Sequence, residues 1–491
     1  MKKQIKYIIV LSLVLIAGIS CKKEYLTPVP QTSVPDANAF DTPERILGNI
    51  RSLYANAKGG AFYAGRFTVY GDIRGEDFIN ETGNLVTGAD VWSLNPTGTS
   101  TNSVINLWAQ AYATINLCNI SIEGITAKGP TVVPALTSNY IGEARFVRAL
   151  CYYSLLQLYA RPFADGAGSK PGLPLRLTAI KTLGSSDLAR STVAQVYQQI
   201  ITDLDSAEAK LPLTYATPEL NTTRAHRNTA IAFKTRVYLS MQDYAKVITE
   251  GNKIASQAVA PFKATSGVLD SLQPNIATVF TTYNTTESIL SFPMSAAAGD
   301  NPGTQNQLGF YFVRNSTNPG SAEYSLNPAG IISDSVFSSP TSADARRGLI
   351  FTNAVNGKRF VNKYPLPSPF LDYSPVIRYS EVLLNLAEAL ARINTATADP
   401  RGLALLRAVR LRSNATAATI NPTTQAQLIT MILQERRIEF LGEGLRNNDL
   451  MRLLQNLPAK GSVPAKAPTD QGYIWPISST ELSLNKLMTD N

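Results

Sequence analysis

A long, largely apolar stretch of the chain runs from Tyr140 to Phe163, YIGEARFVRALCYYSLLQLYARPF, with Glu143, Arg145, Arg148 and Gln157 as its main polar interruptions. After Gly142 it holds no Gly or Pro before Pro162, so the pattern predicts a helix running through to Tyr159. A helix apolar around most of its circumference has to be covered on several sides, which places it at the centre of an all-α region. Arg161-Pro162 stops it, because the residue before a proline is pushed out of the α region and proline has no N–H to donate. Narrower stripes predict helices around it. Thr42-Pro43-Glu44 starts one, with Thr42 as N-cap and Pro43 at the first position, and carries Ile46, Ile50 and Leu53. From near Val104, the residues Trp108, Tyr112, Ile115 and Asn119 fall on one helical stripe. That spacing assigns the Trp108 ring to the core. Behind a cap at Ser191 or Thr192, Val193, Val196, Ile200, Leu204, Ala207 and Leu211 step by three and four until Pro212.

Ala230 to Leu239 and Tyr244 to Ser256 read as two short helices joined at Met241-Gln242-Asp243, a hairpin similar to a tetratricopeptide unit. Between the helices lie segments of another character. Lys58 to Ser103 is rich in Gly, Thr and Asn and dotted with rings, and is expected to be a long irregular, functional segment. Arg161 to Arg190 is a Pro/Gly/Ser-rich loop. Residues 258 to 375 are dense in Pro, Gly, Asn, Ser and Thr, with short strands expected near Ser288–Phe292 and Arg359–Lys363. A helical pattern returns at Arg378, with Glu381, Asn385, Glu388 and Arg392 as its polar stripe.

Composition narrows the function classes. Net charge is +9 over 491 residues, but Lys2, Lys3 and Lys6 fall in a segment expected to be removed, which leaves about +6, three lysines fewer. The basic residues come singly or in pairs, so no nucleic-acid patch is expected. Cys21, Cys118 and Cys151 make no disulfide framework, the last two being small residues in apolar helical stretches. The single histidine, His226, excludes multi-histidine metal sites and reads as a surface residue at a helix start. No cofactor motif is present. At the N-terminus, a basic segment to Tyr7, an apolar run from Ile8 to Ile19, and Ser20-Cys21 make a secretory leader too short to span a membrane comfortably. The small residue before Cys21 is similar to a bacterial lipobox, although Gly18 stands where Leu is usual. Acyl chains on Cys21 would anchor the mature chain stably. Pro28 and Pro30 stiffen the tether that follows.

Several motifs in one order carry a resemblance. Gly142-Glu143-Ala144-Arg145-Phe146, Arg148-Ala149 and Tyr152-Tyr153 resemble the GEA-x-F-x-RA…YY helix of the SusD/RagB family, surface lipoproteins of Bacteroidetes-type bacteria that capture nutrients. YGDIRGEDF from Tyr70 resembles the family's GD-x-RGD loop, and Asp344-x-Arg346 and Lys363-Tyr364 its D-x-R and K-Y positions. Arg378 to Ala389, Val409-Arg410-x-Arg412, Glu435-Arg436-Arg437 with Glu439, Glu443-Gly444, Arg446 and Asp449-Leu450-x-Arg452, and finally Trp475-Pro476-Ile477 with Glu481-Leu482 and Asn485, resemble its C-terminal motifs. The resemblance implies a mainly α fold of tetratricopeptide-like helical hairpins with long loop insertions and minor β. Its expected organisation is a signal peptide over 1–20, anchor and tether over 21–40, an N-terminal helical region over 41–257, and a C-terminal region over 258–491 that is loop-rich to 375 and helical from 376.

The resemblance implies capture rather than catalysis. The protein would bind an oligosaccharide, or a peptide, and deliver it to a SusC-like TonB-dependent transporter of the outer membrane. Sugar binding uses flat rings beside planar polar groups, so the loop aromatics Tyr70, Trp92, Tyr311 and Tyr324 are the candidate ligand contacts, with local packing as the competing assignment for each. One alternative is a surface-anchored glycoside hydrolase, which would need two carboxylates about 5 to 9.5 Å apart. Glu435, Glu439 and Glu443 lie on one helical face, but Arg436, Arg446 and Arg452 beside them favour a structural ion-pair network. The other alternative is a helical-repeat scaffold for envelope assembly.

Overall fold

The computed structural model describes residues 38–182, 184, 187–297, 299–313, 321–394, 396–416 and 420–491; the leader, Cys21 and the tether up to residue 37 lie outside the described residues. The fold is mainly α, with about half of the chain helical and few, short strands. Helices α1 (Pro43–Ala57), α2 (Arg66–Ile73), α3 (Asn106–Val132) and α4 (Thr137–Tyr159) come first. They are followed by α5 (Val193–Lys210), α6 (Pro218–Thr223), α7 (Arg227–Ser240) and α8 (Tyr244–Ile254). Toward the C-terminus come α9 (Tyr379–Ile393), α10 (Pro400–Ser413), α11 (Gln425–Glu439), α12 (Arg446–Arg452) and α13 (Ser479–Leu484).

The long helices pack on one another in chain order: α1 on α3, α3 on α4, α4 on α5, α5 on α7, α7 on α8, α8 on α9, and α9 on α10 and α11. That sequence of neighbours is the layout of stacked helical hairpins, in which each pair buries a face that it could not bury alone. Helix starts follow the predicted chemistry. Thr42 accepts from the Arg45 amide at 3.3 Å in front of Pro43, and Thr192 forms a reciprocal capping box with Gln195.

Helix α4 is buried on nearly every side from Tyr140 to Tyr159, and each of its polar interruptions has a partner, with only the Arg145 Nε buried and unbonded. Glu143 accepts from the Tyr54 hydroxyl at 2.7 Å and from Arg224 at 2.9 and 2.5 Å. Arg148 donates to Asp203 at 2.8 and 2.7 Å and to Asn119 at 2.7 Å. A buried charge without such partners would cost several kcal/mol, so these contacts fix how α1, α3 and α5 sit around α4.

Two expectations need correction. The segment from Lys58 to Ser103 is less irregular than its composition indicates: it contains α2, the strand β1 (Phe78–Asn80), a helical turn at Ala89–Trp92 and the start of a π-turn, Thr101–Ile105, that leads into α3. The YGDIRGEDF motif begins inside α2 rather than in a loop. His226 does cap a helix start, that of α7, but it is fully buried rather than on the surface.

The strands are β1, β2 (Ser288–Phe292), β3 (Tyr324–Leu326), β4 (Ile350–Thr352), β5 (Arg359–Val361) and β6 (Ser374–Arg378). Among the described residues they form antiparallel pairs only, β1 with β3, β2 with β6 and β4 with β5. One main hydrophobic core runs through both regions of the chain, from Phe40 to Met488.

Beside that core lies a buried ion network. Glu439 at the end of α11 is met by Arg412 at 2.5 Å and by Arg346 and Arg378 at 3.1 Å each. Arg346 also reaches Glu435 at 2.6 Å and Asp344 at 2.7 Å. Arg378 binds Glu443 at 2.7 Å and Glu287, while Lys363 reaches Glu443 at 2.6 Å. Burial alone would push the Glu439 carboxyl up, but Arg412, Arg378 and Arg346 hold it well below the usual range; Glu443 is held down in the same way by Arg378 and Lys363. These carboxylates are therefore structural anions. A general acid needs its proton, and they do not keep one at neutral pH.

Arg378 serves three carboxylates, so Arg378→Met should destabilise the fold by about 3–5 kcal/mol, the cost of stranding buried charges, read as a lower urea midpoint. Burial also pushes the His226 imidazole down to about 3, against about 6.5 in an unfolded chain. Between those values the unfolded chain takes up a proton that the folded one refuses, so stability falls as the pH drops from about 6.5 toward 3. His226→Gln should remove that contribution, giving a shallower loss of stability over the same window in urea unfolding at stepped pH.

Candidate ligand-binding surface

The four rings expected to touch ligand do not gather on the surface. Tyr70 sits in α2, edge-on to Trp475 at 5.6 Å, and its hydroxyl donates to the Asn102 carbonyl at 3.1 Å. Tyr311 and Tyr324 stack on each other at 6.4 Å, and the Tyr324 hydroxyl donates to the Thr87 carbonyl at 2.9 Å. All three are 0 % exposed. They are packing residues here, contrary to the expectation from the sequence. The reason is that Gly- and Asn-rich backbone brings few side chains to a core, and each large ring supplies the burial that the segment lacks. Trp92 is half-buried, and its indole N–H donates to the Phe78 carbonyl at 2.8 Å. Every aromatic side chain among the described residues is buried or half-buried.

A large concavity lies elsewhere, a cleft of about 780 Å³. One wall is the turn Asn95–Gly98, another is the segment from Lys466 to Gly472, and Arg161, Asp490 and Asn491 close the base. Backbone geometry shapes both walls. Leu94, just before the first wall, holds the left-handed conformation at φ 56°, and Gly472 in the other lies at φ 84°. For a leucine that conformation costs about 1–2 kcal/mol, which the burial of Leu94 among Leu450, Met451 and Tyr473 offsets. At Gly472 a β-carbon would come within 2.8 Å of the Lys466 ammonium, which donates to the Gln471 carbonyl at 2.6 Å.

Some groups in the cleft are committed and others are free. Arg161 donates to Asp165 and to the Pro468 carbonyl at 2.5 Å each, and its guanidinium lies over the Tyr473 ring at 5.2 Å. Asn491 donates to the carbonyls of Tyr159 and Trp475 at 2.8 and 2.6 Å. The side chains of Asn95, Thr469 and Gln471, in contrast, face the cleft with no hydrogen-bond partner among the described residues. Carboxamides and hydroxyls both donate and accept, which suits a ligand whose own groups do both. Charge in the cleft is balanced, Arg161 and Lys466 against Asp470 and Asp490.

A second cleft, of about 310 Å³, opens between α1, the end of α6 and the segment after β2. Among the described residues there is no cluster of three or more His, Cys, Asp or Glu side chains that could hold a metal ion. No described helix is long and apolar enough to cross a membrane. The residues of the larger cleft escape a search for aromatic motifs. Their only signal in the sequence is two turn-rich stretches, NPTG and TDQG, far apart along the chain.

Comparison with known proteins places this architecture. Residues 24–239 match a family model described as SusD-like, starch-binding and associating with the outer membrane, and residues 371–491 match the SusD family model. SusD-like protein P38 of Formosa agariphila is 23 % identical, over 100 % of this chain and 99 % of its own length. A SusD superfamily protein of Bacteroides fragilis, known from its crystal structure, is 30 % identical with a TM-score of 0.79, over 92 % of this chain and 100 % of that one. The structure of surface glycan-binding protein A from Bacteroides uniformis superposes with a TM-score of 0.71 at 19 % identity, over 92 % of this chain and 99 % of that one. Helix α4 falls inside the first matched stretch, the Glu435–Arg452 motifs fall inside the second, and the fold is shared along nearly the whole chain: this protein belongs to the SusD/RagB family.

Proposed function

We propose that the protein is an outer-membrane lipoprotein, anchored through Cys21, that binds an oligosaccharide at the cell surface and hands it uncleaved to a SusC-like TonB-dependent transporter. The observation that carries the binding reading is the 780 Å³ cleft in which Asn95, Thr469 and Gln471 are unpaired among the described residues. Its volume lies within the range of ligand sites. Its balanced charge and its donor–acceptor side chains suit neutral sugar hydroxyls. The starch-binding description of the family model and the glycan-binding name of a structural neighbour support the same ligand class. A peptide is the other ligand to test. The anchor rests on the lipobox-like Ser20-Cys21, outside the described residues.

Asp470 and Asp490 give the hydrolase alternative its one foothold, since both line the cleft. Each already accepts backbone N–H groups, Asp470 from Ala467 at 2.8 Å and Asp490 from Ile477 at 2.7 Å. Those bonds tie each carboxylate to backbone nearby, in the role of a hydrogen-bond acceptor.

The test is glycan-array screening of the protein lacking residues 1–21, followed by calorimetry on the best ligand. Asn95→Ala and Gln471→Ala should each weaken binding by up to about tenfold, the value of one hydrogen bond, with the melting temperature unchanged. Chromatography of the incubated ligand should return it at full length, and shorter products would overturn the reading. In cells, Cys21→Ser should move the mature protein from the membrane fraction to the soluble one.

A further inference from the structure

The smaller cleft differs from the larger in charge. Arg51 and Tyr54 on α1 and Lys58 at its C-cap follow the spacing of one and two helical turns and line it together. Arg224, at the end of α6, forms the opposite rim. Apolar surface between them comes from Leu220 and Pro293. Most of the charge is already committed. Lys58 pairs with Asp300 and donates to the Pro293 carbonyl at 2.8 Å. Arg224 is bound to the buried Glu143 through Nε and one terminal nitrogen, at 2.9 and 2.5 Å. Arg51 is different: it is exposed and has no hydrogen bond or ion pair among the described residues. The cleft therefore carries a surplus of positive charge, held by a planar guanidinium at the lip of an apolar floor.

We infer that this cleft is a second glycan subsite, selective for a sugar unit that carries a carboxylate. The planar fork of Arg51 matches a carboxylate in bidentate fashion. Leu220 and Pro293 offer apolar surface to the C–H face of a sugar ring. Lys58 and Arg224 are neutralised by Asp300 and Glu143, so the net positive charge is that of Arg51, and salt screens it. The larger cleft, with its balanced charge, has no such preference. The inference rests on the reading of the protein as a glycan binder, and names the class of glycan.

The experiment uses the protein lacking residues 1–21, a short oligogalacturonide, and the same chain with its carboxyl groups reduced to alcohols. Calorimetry at low salt should show the acidic chain bound about ten- to a hundredfold more tightly than the reduced one, as expected of charge-assisted hydrogen bonds. That preference should shrink in high salt. Arg51→Glu should abolish it while leaving affinity for the reduced chain and the melting temperature unchanged, and Arg51→Lys should restore it in part. Equal binding of the acidic and reduced chains by the wild type would overturn this inference alone and leave the glycan-binding reading intact. An acid preference that survives in Arg51→Glu would also overturn it. Binding of neither chain together with capture of acidic peptides, lost in Arg51→Glu, would overturn both.

Discussion

Glu439 is the charge around which the structure closes. It is 1 % exposed, and its partners come from three separate places: Arg346 from the loop-rich region, Arg378 from the end of β6, and Arg412 from α10. Taking an ion out of water costs several kcal/mol, which is recovered only when every partner is in position together. The cluster therefore acts as a geometric requirement more than as a source of stability. It pins Glu287, Arg346 and Lys363, all in a stretch poor in helix, to the helical C-terminal region. Long irregular segments can then keep one arrangement without regular backbone pairing of their own.

A second contact of this kind ties the early part of the chain to the late part. Gly71 in α2 meets the backbone of Gly444 so closely that a β-carbon at Gly71 would collide with it, and Gly444 itself lies at φ 81°. The Gly444 amide donates to Asp72 at 2.8 Å, and burial pushes the Asp72 carboxyl up to about 8. Just beyond, Glu76 receives Arg446 at 2.6 Å and Asp77 receives Arg437 at 2.5 Å. The motifs YGDIRGEDF and ERR…EG-x-R are thus two sides of one joint. Glu76 and Asp77 are spent on Arg446 and Arg437 across that joint and are not offered to a ligand.

Much of the helical framework can be read from the sequence, and much of the surface cannot. The stripes from Tyr140 to Tyr159 and from Val193 to Leu211 mark α4 and α5 closely, because helical periodicity and capping are local. The strand at Ser288–Phe292 is legible for the same reason. The side on which a ring faces is not local. Tyr70, Tyr311 and Tyr324 look alike in the sequence whether they stand in water or in the core, and only the arrival of Trp475, Thr87 and one another decides it. Glu443 shows the same limit. Helix α11 ends at Glu439, yet the turn beyond it carries Glu443 back to Arg378 and Lys363. The larger cleft is less legible still, since Asn95 and Gln471 meet only after the chain has folded back over most of its length.

The strand pairings bear on how such a chain comes to be folded at all. Phe78 is paired with Leu326, and Ser288 with Arg378, so an early and a middle segment each close only with one far along the chain. Contacts between residues so distant in sequence form slowly, because chain entropy must be given up before they begin to repay it. Until those later segments are in place, β1 and β2 have no partner strand. Topology thus ties the ordering of the early segments to the arrival of the late ones, and a segment left waiting with its apolar face bare is prone to aggregate.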